Sequence, residues 1–132
     1  MPRIADVPKL VSGAAQEFWV DIQKSERPPL PCITLIYESE TRVVMLTEGA
    51  ATLEEAVRMS HDTARKMSQT AAVCIEVWDG YATTDGKKAE AILINWWVEG
   101  RGPFFSFQRY RRDPFELIGE GGGGTAETAP SA

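Results

Sequence analysis

Histidine occurs once in these 132 residues and cysteine only twice, at Cys32 and Cys74. That scarcity removes several kinds of chemistry at the outset. Two cysteines so far apart build neither a disulfide framework nor a four-ligand zinc site, and nowhere do metal-ligating residues recur at ligand spacing. No metal and no cofactor is expected. Long apolar runs are missing too. None approaches the ~18 residues of a membrane-crossing helix, and the opening MPRIADVPKL lacks the basic-then-apolar layout of a signal peptide. These features point to a cytoplasmic protein with reduced thiols. Basic charge is in deficit, with 14 Lys and Arg against 19 Asp and Glu and a net charge of −5. A nucleic-acid partner is correspondingly not expected.

With 43% hydrophobic residues the chain can bury a core without staples. We expect one α+β domain over residues 1–118 and a flexible glycine-rich tail over 119–132, which has nothing to bury. Val7 to about Lys24 reads as a helix, with Asp6 at its cap and Pro8 in the first turn. Val7, Val11, Ala14, Phe18 and Ile22 form its apolar stripe. The proline-rich SERPPLP ends it. CITLIYES and RVVMLTEG follow as two β-branched runs around a polar tip at Glu40–Thr41, the pattern of a hairpin. Thr52 and Glu55 fit the capping box of a second helix, TLEEAVRMSHDTARKMS, whose inner stripe is Leu53, Val57, Ser60, Ala64 and Met67. Strands at about 71–82, 88–98 and 104–112 then form a three-stranded antiparallel meander. Both helices are expected on one face of the sheet.

The stretch AEAILINWWVEG places Trp96 and Trp97 side by side in a strand, so they point to opposite faces. Asp85-Gly86 is a favoured two-residue hairpin turn, and it fixes the register: Thr84 pairs with Lys87, Val77 with Ile94, Ile75 with Trp96 and Glu76 with Asn95. Val73, Ile75, Val77, Ile92, Ile94 and Trp96 then share an apolar face, joined by Phe105 and Phe107 if the next hairpin keeps the alternation. Trp96 is expected inside. A one-residue slip in that hairpin would exchange the two phenylalanines for Phe104 and Tyr110.

The opposite face would carry Glu76, Trp78, Asn95, Trp97, Gln108 and Tyr110, with Cys74 and Leu93. Large aromatics mixed with a carboxylate and amides have the composition of a recognition patch, and these six residues are the candidate binding site. A sheet that curls enough to bury both faces would instead make them core.

Catalytic candidates are few. His61 is a natural general base, but no spacing brings it to a nucleophile such as Cys74. Glu76 beside Asn95, walled by indole rings, is the better acid–base candidate, although a structural carboxylate bonded to a cross-strand amide is the commoner explanation of such a residue. The RYRRD cluster, Arg109 to Asp113, suits a charged edge strand that avoids pairing with neighbours. The glycine run at 121–124 lacks the strand and helix of a phosphate loop.

The sequence therefore argues for a non-enzymatic binding or assembly module. It would act through the aromatic sheet face, as a homodimer or other homo-oligomer, or as an inhibitor-like or antitoxin-like partner of another protein. The alternative is a small enzyme or ligand-binding protein with a pocket over that face, using Glu76 or His61.

Overall fold

The computed structural model describes residues 7–24, 29–37, 41–45, 52–84, 86–112 and 114–125. Asp6, residues 25–28, Glu40, Asp85 and residues 126–132, on which several of the expectations above fall, lie outside the described residues. The chain has an α+β fold. Helix α1 (Val7–Lys24) is followed by strands β1 (Cys32–Ile36) and β2 (Thr41–Met45), helix α2 (Leu53–Met67), and strands β3 (Val73–Thr84), β4 (Lys87–Val98), β5 (Arg101–Arg111) and β6 (Glu116–Thr125). The strands form one antiparallel sheet in the order β2-β1-β3-β4-β5-β6. Neither helix is long and apolar enough to cross a membrane.

The expected register of β3 against β4 is the observed one, from Thr84↔Lys87 through Glu76↔Asn95 to Val73↔Val98. The next hairpin differs by one residue. Its turn, Glu99-Gly100, has φ of +50° and +76°, as a two-residue hairpin turn of this kind requires. Beyond it, Val98 faces Arg101, but Trp96 faces Phe104. The strand β5 has taken in one extra residue, a bulge that bends it and reverses its alternation. Gly102 permits this: its φ is +138°, and a Cβ there would lie 2.8 Å from the carbonyl oxygen of Trp96. Phe105 and Phe107 consequently leave the Trp96 face, and Phe104, Gln108 and Tyr110 join it. A second irregularity interrupts the β5–β6 pairing between Phe107 and Arg109, and the sheet curls.

The helices lie on opposite faces, not on one. Val7, Val11, Phe18, Trp19 and Ile22 of α1 pack on Val73, Ile75, Val77, Ile92, Ile94 and Tyr110. Trp19 broadens the stripe read from the sequence. On the other face, Ala64 of α2 packs with Ile33, Leu35, Cys74 and Trp97, and Val57 packs with Trp78, Leu93 and Phe105. The cap of α2 forms as expected, with the Glu55 amide donating to Thr52 Oγ1 at 3.1 Å, whereas Met67 is exposed. Trp96 is thus only half-buried, and Trp97, at 6% exposure, is the more enclosed of the pair.

Past Pro114, where the sequence offered only the apolar FELI and a glycine run, the chain turns back as β6. Tyr110 pairs with Leu117, and farther along Phe107 pairs with Gly122 and Phe105 with Gly124. Glycines bury no side chain, but their backbones satisfy the amides and carbonyls of β5.

Candidate functional site

Glu76 stands in the middle of β3 with 0% exposure. Strand alternation points it at α2, whose capped start sets the phase of its turns and puts Ser60 and His61 over the carboxylate. The Ser60 hydroxyl donates to Oε2 at 2.5 Å, and His61 Nδ1 lies 2.7 Å from the same oxygen. Asn95, directly opposite on β4, donates from Nδ2 to Oε1 at 3.2 Å. Both carboxylate oxygens are therefore bonded, the condition for tolerating such a group in a core. The imidazole stands edge-on against Trp78, with ring centroids 4.7 Å apart.

A carboxylate only accepts, so the neutral imidazole presents Nδ1–H to Glu76 and keeps its lone pair at Nε2. The His61 side chain is 32% exposed. Among the described residues Nε2 has no partner, and it is not a buried atom. The arrangement fixes the imidazole through Nδ1 and leaves Nε2 unbonded, a geometry in which an imidazole can act as a base.

Of the six residues grouped by the sequence reading, Glu76, Trp78, Asn95 and Trp97 share the α2 face. They are buried under the helix, so that face is not an open patch. Gln108 and Tyr110 are on the other face because of the β5 bulge. Gln108 Nε2 donates to the carbonyls of Arg109 and Ile118 at 3.1 and 3.2 Å. Tyr110 packs on Trp19, with ring centroids 5.2 Å apart. His61, which no spacing tied to Glu76, meets it directly. Cys74 does not meet His61: its thiol donates to the Ala64 carbonyl at 3.6 Å, and burial, with the Glu76 charge nearby, pushes its pKa up to about 12. The sequence reading assigned Ser60 to the helix core and missed its role. Its one signal was a hydroxyl on an otherwise apolar stripe.

Beside this cluster an open groove of about 910 Å³ runs between the first turns of α2 and the outer half of β3. Leu53, Val57, Trp78, Gly80, Tyr81 and Lys88 contribute to its walls, so Trp78 borders the groove on one side and touches His61 on the other. Two polar atoms, Trp78 Nε1 and Asn95 Oδ1, are buried with no hydrogen-bond partner among the described residues. Among the described residues no three His, Cys, Asp or Glu side chains gather where a metal ion could be held.

Neither family models, curated proteins nor solved structures yield a match to this chain. Its function has to be read from the geometry.

Proposed function

We propose that the protein is a small ligand-binding protein or enzyme in which His61, oriented by Glu76, exchanges a proton with a molecule bound against Trp78. The observation that carries this reading is the 2.7 Å contact between His61 Nδ1 and an oxygen of a fully buried carboxylate. Burying a carboxylate costs several kcal/mol before its partners offset it, and an apolar residue would pack there without that cost. In the proposed role Glu76 holds the tautomer and offsets the charge that forms on the ring, while Ser60 and Asn95 keep the carboxylate from turning. Nε2 accepts the proton. Glu76 is a positioning residue, since it reaches no solvent itself.

The single histidine makes the test direct. Nitrogen NMR of the neutral ring should show the proton on Nδ1, and Glu76→Gln should shift the tautomer balance while the fold persists. Diethyl pyrocarbonate should modify Nε2 in the native protein. A neutral ring protonated at Nε2, or a histidine that reacts only after unfolding, would overturn the reading.

The association reading keeps support from a different surface. Trp96 stacks on the exposed Phe104 with ring centroids 5.9 Å apart. With Val7, Pro8, Val98 and Arg101 they border a mainly apolar hollow of about 410 Å³. A homo-oligomer or protein partner would use this patch, in place of the Trp97 side. Light scattering should then show Phe104→Glu converting an oligomer to a folded monomer. A parent protein that is monomeric at high concentration, with no change on substitution, would remove the homo-oligomer.

A further inference from the structure

We infer that the edge of β3 beyond β1, residues 79–83, takes up an extended peptide segment as an added strand. The segment carries apolar side chains toward α2 and an acidic one toward Lys88. This goes beyond the proton-transfer reading and does not rest on it.

Half of that edge is already in use. β1 pairs with β3 only from Ile36↔Val73 to Cys32↔Val77. The outer half of β3 therefore has β4 on one side and no described strand on the other. In an antiparallel ladder a residue turns both backbone groups to one neighbour, and the next residue turns them the other way. The phase is set at both ends of β3. Thr84 and Lys87 flank a two-residue turn, which makes them a bonded pair, and the Ala72 carbonyl accepts from the Glu99 amide at 2.8 Å. Even-numbered residues thus bond β4. Asp79, Tyr81 and Thr83 turn their amides and carbonyls outward, where no described backbone group bonds them.

All three line the open groove beside α2. Asp79 does so although its carboxylate is on the opposite sheet face, bonded to Tyr110 at 2.6 Å, so backbone is what it presents to the groove. Such an edge is a template for another strand, and its surroundings select which. A residue added opposite Gly80 or Ala82 would point to the α2 side. There Leu53, Val57 and a Leu93 methyl, 2.7 Å from where a Cβ on Gly80 would stand, form an apolar wall.

A residue added opposite Tyr81 would point to the other face. Tyr81 is 53% exposed, and Lys88 holds Nζ 4.6 Å from the centre of its ring. An acidic side chain lying along that ring meets the ammonium. Glu90, across from Tyr81 on β4, is already held by Arg112 at 3.0 Å. A second copy pairing edge to edge about Tyr81 would instead bring two Lys88 side chains together, so the charge favours a different partner.

The test uses the full chain and the peptide acetyl-Thr-Val-Glu-Val-Thr-amide, followed by proton–nitrogen NMR. In the free protein the Asp79, Tyr81 and Thr83 amides should exchange with solvent at least about tenfold faster than those of Gly80 and Ala82. The peptide should shift them saturably and slow that exchange. Methylating the peptide nitrogen of the central Glu, which faces β3, should weaken binding by about tenfold. Methylating that of either Val, which faces away, should change little. Lys88→Gln should weaken the peptide by about fivefold, as for an exposed ion pair, and leave a version with Gln for Glu unchanged. Absence of saturable shifts, or equal losses from the two kinds of methylation, would overturn the inference. So would edge amides already protected in the free protein, with light scattering showing a dimer.

Discussion

The phenol of Tyr110 donates to Asp79 Oδ1 at 2.6 Å, reaching from β5 to β3 across the width of β4. Arg112 stands 3.7 Å from the other oxygen of Asp79 and bonds Glu90 at 3.0 Å. Burial nevertheless dominates, and it raises the Asp79 pKa above its ordinary value despite the Tyr110 bond and the Arg112 charge. A carboxyl whose pKa is higher folded than unfolded favours the fold while protonated, and that contribution is lost as pH rises through the folded value. Asp79→Asn keeps an acceptor for Tyr110 and cannot ionise. Relative to the parent, it should therefore become more stable as pH rises from about 4 to 7. Urea midpoints of both proteins at the two pH values measure this, and a shift the other way would mean that the Arg112 attraction outweighs desolvation.

Glu76→Ala strands three donors over an empty site. We expect a loss of about 3–5 kcal/mol, the usual cost of removing one member of a buried charged network. Glu76→Gln keeps one carbonyl oxygen and should lose only about 1–2 kcal/mol. Equal, small losses in chemical denaturation would mean that Ser60, His61 and Asn95 find other partners.

The two neighbouring tryptophans should respond unequally. Trp97, enclosed between α2 and β1, should cost about 3–5 kcal/mol on truncation to alanine. The half-buried Trp96 should cost roughly half of that, since it gives up less buried area. Thermal melts of the two variants give the order directly.

Neither thiol is set up to react. Cys74 has its pKa pushed up to about 12. Cys32 is raised too, by burial and by the nearby Asp21 and Glu17 charges. At pH 8 the thiolate fraction at Cys74 is on the order of one in ten thousand. Iodoacetamide should therefore leave Cys74 untouched in the native protein, label Cys32 slowly, and label both once the chain is unfolded. Mass spectrometry of the peptides distinguishes them.

What was legible in the sequence follows from what a local pattern can encode. Asp85-Gly86 allowed counting along β3 and β4 without error, because a two-residue turn leaves one register. The same count failed one hairpin later. The extra residue at Gly102 is a tertiary accommodation to the Trp96 carbonyl, and Glu-Gly-Arg-Gly-Pro does not announce it. Glu76 and Asn95 made their face look wet, and so suggested that both helices covered the other one. The residues that make this face dry, Ser60 and His61, are on a helix whose docking side is set by the whole sheet. That Glu76 and Asn95 would pair was readable from register, but that His61 would complete the pair was not.

The glycines of β6 have one more consequence. Opposite Phe105 and Phe107, residues 122 and 124 have no side chain with which to recognise a particular partner. Sliding this strand by a residue exchanges one backbone hydrogen-bond pattern for an equivalent one, so nothing in the run marks its own position. One glycine more or fewer between 121 and 124 should therefore leave the rest of the sheet undisturbed. In effect the border strand is adjustable in length while β5 remains covered.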